Sequence, residues 1–150
     1  MEYYEDVEVG DVTEHGSTTV TKEEIVEFAE EFDPQPFHLD EAAAEESIFG
    51  GLAASGWHTA SMCMRLLVDG VLNDQASQGA AGVDELRWKR PVRPGDTLSI
   101  EVEILEKEPH PRDPTRGRLR TELRGYNQDD EEVISWVGLA MIERREPAEE

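Results

Sequence analysis

The chain has 150 residues, the usual length of one domain and enough to bury a core. Asp and Glu number 35 against 14 Lys and Arg, for a formal net charge of −21. Affinity for nucleic acid or for an anionic membrane surface comes from cations that neutralise phosphate, so this balance excludes both as partners.

Among the cations only Lys22, Lys89 and Lys107 are lysines; the rest are arginines. Acids spread along the whole chain with so little lysine predict a surface adapted to high salt, a halophilic character, because the Debye length falls to roughly 3 Å at 1 M and self-repulsion fades. An ordinary acidic cytosolic protein is the alternative. Cys63 is the one cysteine, so no intramolecular disulfide forms, and its neighbours Met62 and Met64 point to a buried hydrophobe rather than a nucleophile. The histidines at 15, 38, 58 and 110 lack metal-ligand spacing, so neither a metal nor another cofactor is called for. The acidic N-terminus lacks the basic and apolar regions of a signal peptide, and no run reaches about 18 apolar residues. The expectation is a soluble cytoplasmic protein.

In chain order, Thr21 and Glu24 form a capping-box pattern, and Ile25, Val26, Phe28 and Ala29 add an apolar stripe, predicting a helix over about 22–31. In Asp33-Pro34-Gln35-Pro36-Phe37-His38-Leu39-Asp40, two prolines stiffen a segment expected to be non-helical, and an acid and an imidazole stand five positions apart. A carboxylate and an imidazole fixed in this way can share one water or one substrate proton. The same dipeptides also suit an ordinary turn between helices. Asp40 is placed to cap a short helix over 41–46.

The run 51–68 carries no charge before Arg65 and predicts a core helix about 27 Å long, enclosed on nearly every face. His58 within it reads as a satisfied buried histidine, and Trp57, Phe37 and Phe49 as packing or as the walls of a ligand tunnel. Beyond Gly79, the stretches 83–88, 97–105, 118–126 and 133–142 alternate polar and apolar residues with period two. Arg93-Pro94-Gly95-Asp96 is a compact turn, 108–117 a longer loop, and 127–130 a hairpin. Four antiparallel strands need one face covered, and the apolar helix is the element long enough to cover it. The fold class is therefore α+β, a sheet wrapped around a central helix.

The proline-bounded motif, followed by Ala42-Ala43, Phe49-Gly50-Gly51-Leu52-Ala53-Ala54-Ser55-Gly56, Asp84-Glu85-Leu86-Arg87-Trp88 and Pro91-Val92-Arg93-Pro94-Gly95-Asp96, resembles the MaoC-like dehydratases, which include the (R)-specific enoyl-CoA hydratases. The resemblance covers about residues 5–142 of a single domain spanning 1–150. It implies a hot dog fold, a homodimer or higher homo-oligomer joined sheet edge to sheet edge, and an acyl-CoA thioester as substrate. By matching positions, Asp33 and His38 would activate one water for addition to a trans-2-enoyl thioester, or run the reverse dehydration.

That chemistry also needs donors for the charge that builds on the thioester oxygen. The N-terminus of the core helix offers them, near Ser55 and Gly56, and the family suggests the Gly56 amide. The chain departs from the family's Ser-Gly-Asp-x-Asn-Pro, since Glu31-Phe32 precede the acid and Gln35 replaces the amide residue; Ser55-Gly56 stands where His-Gly is usual. Lys89, Arg90 and Arg93 near the strand turn are candidates for CoA phosphate contacts, or plain charge balance at a turn. The competing functions are a hot dog thioesterase, which would not require His38 at its fixed distance, and a non-catalytic acyl-thioester binding subunit.

Overall fold

A computed structural model describes residues 1–149. Strand β1 spans Val12–Thr19, followed by helices α1 (Lys22–Phe32), α2 (Pro36–Leu39), α3 (Glu41–Glu45) and α4 (Gly56–Gly70). Strands β2 (Ser77–Trp88), β3 (Thr97–Pro109), β4 (Arg116–Tyr126) and β5 (Glu132–Glu143) complete the chain. They form one antiparallel sheet in the order β1-β3-β4-β5-β2.

Alternation along the strands turns Leu98, Ile100 and Val102 of β3, Leu123 of β4, and Ile134 and Trp136 of β5 to one face, where they pack in one cluster with Cys63 and Leu66 of α4. This is the α+β roll that the alternating segments and the apolar helix predict, and the hot dog fold that the family resemblance implies. Burial pushes the Cys63 thiol up to about 12, so it packs as an inert hydrophobe. No helix among the described residues is long and apolar enough to cross a membrane.

The capping box forms as read: Glu24 N–H donates to Thr21 Oγ1 at 3.1 Å, and Thr21 N–H to Glu24 Oε1 at 2.9 Å. Asp40 likewise caps α3 through the Ala42 amide at 3.3 Å.

Five features differ from the sequence expectations. Strand β1 is a fifth strand, and β2 begins at Ser77 rather than 83. Both are sheet edges exposed along most of their length, so neither Val12-Thr13-Glu14-His15-Gly16-Ser17-Thr18-Thr19 nor Ser77-Gln78-Gly79-Ala80-Ala81-Gly82 needs an apolar alternation. The proline-bounded segment is not wholly extended. Pro36–Leu39 makes one helical turn, which is allowed because Pro36 stands at its first position, where the missing N–H has no intrahelical partner anyway. Helix α4 starts at Gly56, not 51, because Ala53 N–H is taken by Phe37 O at 3.3 Å and Ala54 N–H by Val92 O at 2.9 Å, which holds 52–55 extended and buried. Finally, α4 is buried on one face only, through His58, Thr59, Cys63 and Leu66, while Trp57 and Met64 are exposed.

Candidate active site

Three short backbone devices bring the acid and the imidazole together. Asp33 is the C-cap of α1, its N–H bonded to Ala29 O at 2.9 Å. Pro34 and Gln35 then lead into α2, which carries His38 on its single turn. The buried stretch before α4 closes the arrangement: Ala53 O accepts from His38 Nδ1 at 2.6 Å, and Phe37 packs edge-on against the imidazole at 4.6 Å. A carbonyl can only accept, so Nδ1 carries a proton and donates it to Ala53 O, which leaves Nε2 as the nitrogen turned to the acid.

His38 Nε2 lies 3.4 Å from Asp33 Oδ2, with the two side chains 6% and 18% exposed. Gln35 Nε2 donates to the other oxygen, Asp33 Oδ1, at 2.6 Å. Burial by itself would raise the Asp33 carboxyl; hydrogen bonds from Gln35 and the Ser55 hydroxyl, together with the facing His38, outweigh it and hold the group below its ordinary value. Asp33 is thus held as an ionised carboxylate facing the Nε2 edge of the His38 ring.

Both line a cleft of about 370 Å³ that also touches Phe49, Gly56, Trp57, Thr59, Trp88, Lys89 and Arg90. Gly56 is the first residue of α4, so its N–H has no partner within the helix and carries the positive end of the dipole. Ser55 caps the helix, its Oγ accepting from Trp57 N–H at 3.3 Å. Trp88 lies against Gly56, donating from Nε1 to Gly56 O at 2.8 Å. A side chain at 56 would put its Cβ 2.4 Å from Trp88 Cε2, so glycine is required there for close approach. A wider open depression of about 510 Å³, lined by Glu14, Glu101 and Asp130, is acidic and would repel an anionic substrate.

The model of the "MaoC like domain" matches residues 6–124. The chain belongs to the MaoC-like family. It is similar to a 3-hydroxybutyryl-CoA dehydratase of Methylorubrum extorquens, 33% identical over 150 residues that cover 98% of this chain and 88% of that protein. The crystal structure of a MaoC-like dehydratase from Rhodospirillum rubrum superposes with a TM-score of 0.89 at 44% identity, covering 96% of this chain and 98% of the other. The unliganded R-hydratase PhaJ1 of Pseudomonas aeruginosa gives a TM-score of 0.75 at 29% identity, covering 99% and 92%.

Within this MaoC-like chain the other sequence candidates divide. Asp33, Gln35, His38, Gly56, Lys89 and Arg90 share the cleft, while Ser55 stands behind it, its hydroxyl turned to Asp33 and to the helix end. Lys89 pairs with Glu132, and Arg90 with Glu131 at 2.9 Å, both at the rim. Arg93 lies outside the cleft. Its guanidinium donates to the carbonyls of Phe49, Gly51 (2.7 Å) and Leu52 (3.4 Å), which makes it a staple for the 49–52 loop instead of a free cation. His58 is not the satisfied buried histidine expected: it stacks flat on Phe28 of α1 at 4.7 Å, and its Nδ1 has no hydrogen-bond partner. The Ala53 carbonyl and the seat of Trp88 on Gly56 escaped the sequence reading, since one is a backbone atom and the other a contact across 32 positions.

Proposed function

We propose that this protein is a hydratase and dehydratase of CoA thioesters, adding water to a trans-2-enoyl-CoA to give an (R)-3-hydroxyacyl-CoA, with Asp33 and His38 as the catalytic pair. The observation that carries the reading is the 3.4 Å approach of His38 Nε2 to Asp33 Oδ2 inside a cleft that also receives the N-terminus of α4. The names of the M. extorquens and P. aeruginosa relatives support it.

In this mechanism one water sits against both groups. Nε2 takes its proton as the hydroxyl oxygen bonds to the β-carbon, and ionised Asp33 stabilises the imidazolium that forms. The electron pair of the double bond moves toward the thioester oxygen, where the Gly56 N–H and the α4 dipole meet the developing charge. The imidazolium then returns the proton to the α-carbon, and His38 is neutral again. Gln35 keeps Asp33 oriented throughout, from a side chain one methylene longer than the family's usual Asn. Lys89 and Arg90 at the rim are the proposed contacts for CoA phosphates, exchanging their Glu132 and Glu131 partners for the ligand.

The whole chain acts as one domain, and two copies form a homodimer through the open edge of β2, whose residues are exposed along nearly the entire strand. The protein works in the cytoplasm. Crotonyl-CoA decides between the functional classes: hydration removes the conjugated-thioester absorbance without releasing thiol. Thiol release without hydration would mark a thioesterase, and neither signal a binding subunit.

A further inference from the structure

Acids outnumber cations by 35 to 14, yet among the described residues the Arg93 side chain pairs with no carboxylate. Its guanidinium is given to one loop instead, donating to the carbonyls of Phe49, Gly51 at 2.7 Å and Leu52 at 3.4 Å. A Cβ at position 51 would stand 3.3 Å from Nη1, so the guanidinium lies directly on the loop backbone. The base of Arg93 is itself fixed: its N–H donates to Asp96 Oδ2 at 2.9 Å, and Asp96 Oδ1 accepts from Gln128 Nε2 at 3.0 Å. Beside it, Val92 O accepts from Ala54 N–H at 2.9 Å. Residues 92 and 93 thus hold the stretch 49–54 at both of its ends.

That stretch is what touches His38. Ala53 O accepts from Nδ1 at 2.6 Å and Ala53 N–H donates to Phe37 O at 3.3 Å, so residue 53 engages α2 through both its backbone groups. The Phe49 ring centroid lies 6.0 Å from that of the imidazole and 5.1 Å from that of Phe37. One carbonyl and one aromatic ring therefore place the imidazole, and both ride on the loop that Arg93 ties down. A rigid guanidinium fork suits several carbonyls set around it, where an ammonium acts as a single point on a flexible stem.

We propose that Arg93, outside the cleft, is a positioning residue: through the 49–53 loop it fixes the Ala53 carbonyl, and so the orientation of the His38 ring toward Asp33. Its effect on rate rests on the hydratase reading, whereas its effect on the ring is independent of substrate.

The test takes Arg93→Met and Arg93→Lys through crotonyl-CoA kinetics, thermal melts and nitrogen-15 NMR of the histidine rings, with the His38 signals assigned by their loss in His38→Ala. Arg93→Met keeps a long side chain and removes the donors. Arg93→Lys keeps a charge in place and is read where the first variant harms folding. Arg124→Ala, outside the cleft, is the control for lost stability alone. Arg93→Met is expected to lose about 10²-fold in kcat, the scale of a misplacement near 1 Å, with KM within a few-fold of the wild type. At about pH 9, where an imidazole is ordinarily neutral, wild-type His38 is expected to hold its proton on Nδ1 and Arg93→Met to divide it between both nitrogens. Arg93→Lys shows the same two changes in smaller measure, and Arg124→Ala neither. A folded Arg93→Met with wild-type kcat, a rise in KM at unchanged kcat, an unchanged His38 ring proton, or an equal loss in Arg124→Ala overturns the positioning role and leaves the hydratase reading standing. Absence of hydration by the wild type overturns the hydratase reading, and the ring signals then decide the positioning role alone.

Discussion

The indole of Trp88 covers Gly56 so closely that the helix end proposed to receive the thioester has no space for a side chain: a Cβ there would stand 2.4 Å from the ring. Gly56→Ala must therefore displace Trp88 or the first turn of α4. The expected outcome is a fall of about 10²-fold in kcat/KM with crotonyl-CoA, as for other misplacements near 1 Å, together with an overpacking cost of about 1–3 kcal/mol. Steady-state kinetics and a thermal melt check both; wild-type values in each would remove Gly56 from the site.

His58 leads to a prediction of pH-dependent stability. Burial lowers its pKa, against the raising influence of Glu24, so the folded state resists a proton that the unfolded chain accepts near the ordinary value of about 6.5. A depressed histidine destabilises the fold as pH falls through the unfolded value, since the unfolded state then binds more protons, and the loss levels off only below the folded value. His58→Phe keeps a ring stacked on Phe28 and removes the titration. Melts from pH 8 to pH 5 are expected to show a shallower decline in Tm for the variant than for the wild type; parallel curves would contradict the assignment.

The legible and illegible parts of this protein separate along a physical line. Strands β3, β4 and β5 bury one face each, so their alternation shows in the residues themselves, whereas the exposed edges β1 and the first half of β2 carry no such imprint. The α1 cap was legible because its partners are three residues apart. Asp33 and His38 stood out because Pro34 and Pro36 stand between them, but the turn at Pro36–Leu39 did not, since a proline that interrupts a helix also starts one. What fixes the imidazole is a carbonyl 15 positions away, and what occupies Arg93 is a set of carbonyls more than 40 positions away, contacts that no local pattern announces.

The acid-rich surface leads to a salt prediction. With a formal net charge of −21, like-charge repulsion opposes the compact state at low ionic strength, and molar KCl shortens its reach to roughly 3 Å. Tm is expected to rise substantially between 10 mM and 2 M KCl. A constant Tm across that range would remove the halophilic reading.

Arg124 draws three carboxylates together on the outer sheet face, Glu101 at 2.6 Å, Glu103 at 3.2 Å and Glu122, and is itself only 17% exposed. Arg124→Ala leaves those acids facing one another, and a loss of about 1–3 kcal/mol in unfolding free energy is expected in denaturant titration. The loss should shrink at high salt, which distinguishes repulsion from lost packing.

The most direct measurement is crotonyl-CoA hydration by Asp33→Asn and His38→Ala beside the wild type, with melting temperatures taken in parallel. The account predicts that each variant loses about 10²-fold or more in kcat while the fold persists, because one carboxylate and one imidazole nitrogen act on the same water. Either variant turning over within a few-fold of the wild type would contradict it.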